Sequence, residues 1–140
     1  MHYKRILVKI SGQILGGKNS PLDPAALFQI TQQLAAISNT GAEVAVVVGA
    51  GNLFRGETLA NQGVGRLVSD QIGMLSTNIN ALFIQESLES QGQLCEVMSA
   101  MAVNQILPPV DIRLAKQYLS EKKIVVFAGT GKPSKEERRK

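Results

Sequence analysis

Four short apolar runs, each followed by small or polar residues, punctuate the chain. They predict β-strands at residues 5–10, 44–48, 93–98 and 123–128. Residues 44–48 consist of four valines and one alanine with no polar interruption. An uninterrupted apolar strand is typical of a parallel sheet that is covered on both faces by helices.

Helical periodicity fills the intervals between these strands. A first helix is predicted over residues 24–39, a long second helix over residues 66–90, and a third over residues 111–121. Asp23 and Asp111 stand immediately before or at the start of the first and third helices, as N-cap residues do. Because strands and helices alternate, the sequence predicts an α/β domain with a parallel sheet.

The predicted helix over residues 66–90 is apolar on more than one side. One stripe along it holds Leu67, Val68, Ile72, Leu75, Ile79, Leu82 and Phe83, while Met74, Ile84 and Leu88 lie off this stripe. A helix with two apolar faces is expected to be buried on both of these faces. Its second face would therefore meet another part of the chain or a second subunit.

Three of the predicted strands end in turns made of small residues. The turns are Ser11-Gly12, Gly49-Ala50-Gly51 and Gly129-Thr130-Gly131. Ligands of open α/β sheets bind beyond the carboxyl ends of the strands, so these turns are expected to converge on one crevice. Glycine leaves backbone N–H groups accessible, and Arg55 adds a planar cation, which together indicate an anion site. The alternative is a plain strand-to-helix turn with Arg55 on the solvated surface.

Two charged residues have both a structural and a functional interpretation. Lys9, at the end of the first strand, either packs its stem and holds its ammonium in water or reaches a phosphate beside the glycine turns. Asp70, near the start of the long helix, either complements the helix dipole or accepts hydrogen bonds from sugar hydroxyls. The pattern alone leaves both alternatives open.

Composition narrows the possible functions. The 140 residues form one domain or part of a larger one, and the net charge of +4 comes mainly from residues 132–140, which hold five basic and two acidic side chains. The remaining surface has no basic surplus and few aromatic residues, so no nucleic-acid partner is expected. Cys95 is the only cysteine, so no internal disulfide can form, and with His2 as the only histidine no zinc site is expected. Without a signal peptide or a long apolar run, a cytoplasmic location and no membrane partner are predicted.

Common catalytic motifs do not account for the glycine turns. The chain has no G-x-x-x-x-G-K-[ST] loop, and Phe54 occupies the third glycine position of a G-x-G-x-x-G dinucleotide fingerprint. A Ser-His-Asp triad is excluded because the one histidine lies at position 2.

Five segments, taken in order, carry a family resemblance. They are K-I-S-G at residues 9–12, V-V-G-A-G-N-L-F-R-G at 47–56, S-D-Q-I-G-M-L-S-T at 69–77, V-M-S-A at 97–100 and A-G-T-G at 128–131. The chain resembles the bacterial UMP kinases, a branch of the amino-acid kinase superfamily, from about residue 3 to residue 131. K-x-S-G indicates only the superfamily, whereas G-N-L-F-R-G with an aspartate fifteen positions after its arginine is specific to this branch.

The resemblance implies a three-layer α/β/α sandwich with a mainly parallel sheet. It implies transfer of the γ-phosphoryl group of ATP to UMP, with Mg²⁺ accompanying ATP, in pyrimidine nucleotide biosynthesis. It further implies a homo-oligomer, a hexamer built from dimers, and no metal ligand is implied among these residues.

Residue roles follow from the resemblance by position. ATP-binding positions are Lys9, Ile10, Ser11, Gly12, Gly51 and Arg55, of which Lys9 and Arg55 are the implied catalytic residues. UMP-binding positions are Ala50, Asp70, Thr130 and Gly131.

The chain departs from the family pattern at three places. Ala50 replaces a glycine, Gln13 stands where glutamate is frequent, and the pattern that follows A-G-T-G in the family gives way to Lys132-Pro133-Ser134. Residues 1–131 are therefore predicted to be the N-terminal, UMP-side part of a C-terminally truncated amino-acid kinase domain, and residues 132–140 a charged basic tail. Two functions remain: a UMP kinase with impaired activity in this chain, or a non-catalytic module for UMP binding or oligomerisation.

Overall fold

The computed structural model describes residues 4–54 and 56–130 and is built around a single parallel sheet. Its strands are β1 (Arg5–Ile10), β2 (Glu43–Val48), β3 (Cys95–Ser99) and β4 (Ile124–Ala128), arranged in the order β1-β2-β4-β3. The helices are α1 (Pro24–Asn39), α2 (Gly56–Asn61), α3 (Arg66–Ser90) and α4 (Ile112–Ser120). The predicted parallel α/β class is confirmed, and each predicted strand end lies within two residues of the observed one.

Helices cover both faces of the sheet. On one face, α1 and α3 pack Leu27, Leu34, Ile84 and Leu88 against alternate residues of the strands, such as Val46 and Val126. On the other face, α4 packs Ala115 and Leu119 against Ala45, Met98 and Val125. The expected three-layer α/β/α arrangement is therefore confirmed.

Burial distinguishes the central strands from the edge strand β1. Val125 and Val126 of β4 are fully buried, as the valine-rich pattern predicts for a strand covered on both faces. Leu7 of β1, in contrast, is 61% exposed. The face of β1 that carries Leu7 and Lys9 is thus open to solvent in the part of the chain that the structure describes.

Local hydrogen bonds explain where the helices begin. Asp23 Oδ1 accepts from the Ala25 N–H at 3.0 Å, and Asp111 Oδ1 accepts from the Leu114 N–H at 3.1 Å, so both predicted N-caps are confirmed. The sequence did not predict the 3₁₀ turn Gly12–Leu15 or helix α2. Both elements are shorter than two helical turns, which is too short for a periodic apolar pattern.

Helix α3 buries a different side from the apolar stripe. Its buried residues are Ser76, Thr77, Asn78, Asn80, Ala81, Ile84 and Leu88. Several residues of the predicted stripe remain exposed, among them Leu67, Val68, Leu75, Ile79 and Leu82. Ala81, Ile84 and Leu88 pack in the core on this side of α3, while Thr77 and Asn80 hydrogen-bond to the turns that follow β4 and β2.

The thiol of Cys95 lies in the core beneath α3. Burial, with Glu89 and Glu96 nearby, raises the pKa of this thiol above its ordinary value, so it stays protonated in the folded chain. No helix within the described ranges has the length and apolar character needed to cross a membrane.

Candidate anion and nucleotide site

The ends of β1 and β2 lie side by side. In the parallel register, Lys9 is opposite Val47 and Ile10 is opposite Val48. One further hydrogen bond, from the Gly49 N–H to the Ile10 carbonyl oxygen at 2.8 Å, extends the pairing beyond β2. The two turns that follow these strands therefore begin at the same level along the strand direction, as the sequence predicts.

Gly12 allows the two turns to touch. A Cβ atom at this position would lie 2.7 Å from the Gly51 nitrogen, 2.8 Å from the Gly49 carbonyl oxygen and 2.7 Å from Asn52 Oδ1. Two of these three atoms belong to the backbone, so any side chain at Gly12 would push the second turn away. The glycine in the Ser11-Gly12 turn is required for this close approach.

The second turn is a single helical turn that begins at Ala50. The N–H groups of Leu53 and Phe54 both donate to the Ala50 carbonyl oxygen, at 2.9 and 3.2 Å. Among the described residues, the N–H groups of Ala50 and Gly51 have no hydrogen-bond acceptor. Unpartnered N–H groups at the start of such a turn attract anions. Ala50 does not have a positive φ, so its methyl group replaces a glycine without backbone strain.

An open cleft of about 770 Å³ lies at the carboxyl ends of β1, β2 and β4. It is lined by Lys9, Ile10, Ser11, Val47, Val48, Gly49, Thr77 and Thr130, of which only Lys9 carries a charge. The structure thus brings together four of the predicted site residues: Lys9, Ile10, Ser11 and Thr130. Ile10 is buried in the core, so alternation along β1 directs Lys9 to the opposite, open face.

The end of β4 is tied to α3 by a buried hydrogen bond. The Gly129 N–H donates to Thr77 Oγ1 at 2.9 Å. Gly129 has a φ of +69°, and a Cβ there would collide with Ser99 Oγ, so both conformation and space call for glycine. Thr130, which follows, is consequently held at the rim of the cleft.

Asp70 lines a separate, smaller cavity of about 260 Å³ between α2 and the start of α3. Glu57, Ala60, Val64, Arg66 and Ser69 complete its lining. Asp70 Oδ2 and Ser69 Oγ are buried, and within the described residues neither has a hydrogen-bond partner. Buried polar atoms are normally paired, so two adjacent unpaired oxygens point to a ligand with hydroxyl or amide groups.

Helix α3 connects the two cavities. Thr77 borders the larger cleft and Asp70 the smaller one, and the two residues are seven positions, or about two helical turns, apart. They therefore lie on the same side of the helix, about 10 Å apart along its axis. This separation suits an elongated ligand that reaches both cavities.

Two predicted site residues, Arg55 and Gly131, lie outside the described residues. Their predicted contacts with phosphate and UMP stay predictions. The described residues also contain no group of three or more His, Cys, Asp or Glu side chains that could hold a metal ion.

Sequence reasoning assigned no role to several polar residues that build the site. Asn52 and Asn80 hydrogen-bond to each other beside the glycine turn, and Ser69 faces the Asp70 cavity. A signal was present, because four of the five residues in the segment Ser76-Thr77-Asn78-Ile79-Asn80 are polar although the segment lies in the middle of a long helix. Buried polar residues at such a position need specific partners.

The fold and the site together define a class of protein. A parallel α/β sheet with touching glycine turns and a lysine at the ends of its strands is typical of α/β proteins that bind ligands beyond the carboxyl ends of their strands. The amino acid kinase family model matches residues 4–139, and the chain belongs to this family.

Relatives and solved structures agree with this membership. The chain is 40% identical to the uridylate kinase of Corynebacterium diphtheriae over 132 residues, which cover 94% of this chain and 54% of the relative. The fold is similar to the UMP kinase of Bacillus anthracis, with a TM-score of 0.86, 33% identity and coverage of 91% of this chain and 53% of that one. The UMP kinase of Ureaplasma parvum gives a TM-score of 0.85 at 26% identity, over 92% and 57% of the two chains. The chain spans about half the length of the relatives it matches.

Proposed function

We propose that this chain forms the UMP-binding side of a UMP kinase, which transfers the γ-phosphoryl group of Mg²⁺·ATP to UMP and releases UDP and ADP. The observation that carries the proposal is the cleft in which Lys9 and Ser11 meet the glycine turn after β2. The likeness to uridylate kinases over nearly the whole chain supports UMP as the acceptor.

Phosphoryl transfer matches the chemistry that these residues offer. The transferred group spreads negative charge over its oxygens, so the protein contributes chiefly cations and N–H donors that are already in place. In the proposal, Lys9 stabilises this charge, and Ile10, Ser11, Gly12 and Gly51 surround the ATP phosphates with their backbone. Arg55 adds a second cation at the phosphates, as the family resemblance implies.

The Asp70 cavity is the proposed place of the UMP sugar. The unpaired Asp70 Oδ2 would accept a hydrogen bond from a ribose hydroxyl, and the unpaired Ser69 Oγ lies in the same cavity. Ala50, Thr130 and Gly131 complete the proposed UMP contacts. In this scheme the sugar of UMP occupies the Asp70 cavity and its phosphate lies toward Lys9.

Magnesium enters this proposal with ATP, as part of the substrate. Phosphate oxygens would supply its ligands, and the ion would neutralise charge on the phosphates during transfer. The homo-oligomer of dimers, the cytoplasmic location and the domain boundary at residue 131 stay predictions.

A second candidate is a non-catalytic module that binds UMP or mediates oligomerisation. It is favoured by the buried, unpaired oxygens of Ser69 and Asp70, which would hold a nucleotide sugar without any contact to ATP. In-line transfer requires ATP, magnesium and UMP to be held together, so a chain that holds only UMP would bind without turnover.

Turnover and binding measured on the same chain distinguish the two candidates. ADP release with Mg²⁺·ATP and UMP would be followed in a coupled assay, and UMP binding by calorimetry, for the 140-residue chain and its Lys9→Ala variant. We expect UMP binding with little turnover. Robust turnover that depends on Lys9 would refute the non-catalytic module. Absence of UMP binding would refute both the kinase and a UMP-binding module, and would leave only a module for oligomerisation.

The catalytic role of Lys9 requires a complete enzyme for its test. In a full-length uridylate kinase that carries this half, Lys9→Ala should lower kcat about 10²-fold or more and change UMP affinity little, because its interaction strengthens in the transition state. An unchanged kcat would show that Lys9 is a surface residue with its ammonium in water and has no catalytic role.

The phosphate role of Arg55 is tested by binding alone. Arg55 is proposed to contact the phosphate of UMP as well as those of ATP. In a full-length uridylate kinase that carries this half, Arg55→Ala should therefore weaken UMP binding by about 1.5–3 kcal/mol, the usual range for a hydrogen bond to a charged group. Calorimetric titration with UMP and with uridine provides the comparison, since uridine lacks the phosphate. Equal losses for the two ligands would contradict the assignment.

A further inference from the structure

Two asparagines form a reciprocal amide pair beneath the glycine turn. Asn80 Nδ2 donates to Asn52 Oδ1 at 2.7 Å, and Asn52 Nδ2 donates to Asn80 Oδ1 at 3.1 Å. Asn80 lies in the middle of α3 and is fully buried, whereas Asn52 belongs to the turn that follows β2. We call these two side chains the asparagine pair.

The pair uses every N–H group that its two amides possess. Besides the reciprocal bonds, Asn80 Nδ2 donates to the Gly49 carbonyl oxygen at 2.7 Å, and Asn52 Nδ2 donates to the Pro21 carbonyl oxygen at 2.8 Å. Each amide nitrogen has two N–H groups, so all four are satisfied. A buried polar network that is complete in this way holds its members in one arrangement.

The bond to Gly49 sets the orientation of one peptide group. In a trans peptide, the carbonyl oxygen of one residue and the N–H of the next point in opposite directions within one plane. Because Asn80 holds the Gly49 oxygen toward α3, the Ala50 N–H must point away from α3. This N–H has no acceptor among the described residues.

Gly12 limits any movement of the pair. A Cβ at Gly12 would lie only 2.7 Å from Asn52 Oδ1, so the first turn packs directly on the asparagine pair. The pair therefore connects four segments: the loop that precedes α1, the turn after β1, the turn after β2 and α3.

We propose that Asn80 is a positioning residue for phosphate binding. Through the Gly49 carbonyl it holds the turn so that the Ala50 N–H is presented to an anion, and Asn52 keeps the Asn80 amide in the required orientation. The identity of the anion as a nucleotide phosphate rests on the proposed function. A purely structural pair would affect stability but not the affinity of the folded chain for phosphate.

Asn80→Asp is the informative variant. It preserves shape and the Oδ1 acceptor but replaces the donor to Gly49 with an oxygen, so the Gly49 carbonyl is no longer held. Because aspartate also adds a negative charge, Asn80→Leu, which lacks the donor but adds no charge, is measured beside it and must show the same loss of affinity. Thr31→Val is the matched control, because Thr31 is also fully buried and also hydrogen-bonds to α3, through Ser87 Oγ at 2.7 Å, away from the glycine turns. Asn80→Asp and Thr31→Val should both be less stable than the wild type in urea denaturation.

Affinity separates positioning from stability. Calorimetric titrations of the folded 140-residue chain would use UMP and inorganic tripolyphosphate as probes. We expect Asn80→Asp to weaken binding of both probes about tenfold or more, equivalent to about 1.4 kcal/mol, while Thr31→Val stays within about twofold of wild type. Wild-type affinity in folded Asn80→Asp would overturn the positioning role.

The remaining outcomes are also decisive. If Asn80→Asp does not fold, Asn52→Ser takes its place, since Asn52 is only partly buried. An unchanged affinity of Asn52→Ser for the two probes would overturn the inference, and a reduced affinity would support it. If the wild type binds tripolyphosphate but not UMP, the proposed function fails and the positioning role is judged on tripolyphosphate alone. If the wild type binds neither probe, the turn is not an anion site and both ideas fail.

Discussion

Gly12→Ala is the sharpest test of the touching turns. The added methyl carbon would lie 2.7–2.8 Å from three atoms of the second turn, at distances that real Cβ atoms essentially never show. Ordinary contact requires about 3.4 Å or more, so the turn after β2 must move by more than half an ångström. Overpacking of this kind typically costs about 1–3 kcal/mol.

The same chain offers a matched glycine. Gly73 lies inside α3, has no positive φ, and its Cβ would meet no atom within 4 Å. Gly73→Ala should therefore stabilise the chain by about 0.5–1 kcal/mol, because alanine loses less backbone freedom in a helix. The two substitutions add the same methyl group, and they are expected to change the stability of the chain in opposite directions.

Urea denaturation and thermal melting measure both changes in stability. For a domain of this size a change of 1 kcal/mol moves the Tm by about 3–5 °C, so the melting temperatures of Gly12→Ala and Gly73→Ala should fall on opposite sides of the wild type. Gly12→Ala should also bind tripolyphosphate more weakly. A Gly12→Ala chain with wild-type stability and wild-type tripolyphosphate affinity would refute the reasoning.

Two further predictions concern stability. The folded chain holds the Cys95 thiol protonated, whereas in the unfolded chain this thiol ionises near its ordinary pKa of 9.0. Unfolding is therefore favoured as the pH rises above about 9, and the stability that is present below that pH is lost. Between pH 8 and pH 10 the wild type should lose about 1.4 kcal/mol more than Cys95→Ala in urea denaturation, and equal losses would contradict the raised pKa. Asp23→Ala removes the N-cap bond to Ala25 and should cost about 0.5–2 kcal/mol, whereas Asp23→Asn should cost much less; equal costs would show that the cap is not responsible.

The sequence predicted the elements whose signals are local. The valines of β2 and the N-caps Asp23 and Asp111 depend on burial or on hydrogen bonds within a few residues, and each was located to within two residues. The convergence of Lys9, Ser11 and Thr130 also followed, because parallel strands bring their carboxyl ends to one edge.

Long-range contacts escaped the same reasoning. Asn52 and Asn80 are 28 positions apart, and no spacing rule links a turn residue to a residue in the middle of a helix. Of the two faces that were expected to be buried on α3, the structure buries the one with Ile84 and Leu88 and leaves much of the apolar stripe exposed. Asn80 and Thr77 are buried by hydrogen bonds that periodicity cannot detect. Residues of this kind become visible only when tertiary structure supplies their partners.

The dimensions of the site follow from two regular repeats. Neighbouring strands lie about 4.8 Å apart, so the turns after β1 and β2 are separated by about the width of one phosphate group, and β4 lies the same distance beyond β2. Along α3, two helical turns separate Thr77 from Asp70 by about 10 Å. Because the sheet sets the first spacing and the helix sets the second, contacts that fix α3 on the sheet also fix the distance from the phosphate turns to the Asp70 cavity. The bonds from Asn80 to Gly49 and from Gly129 to Thr77 are such contacts.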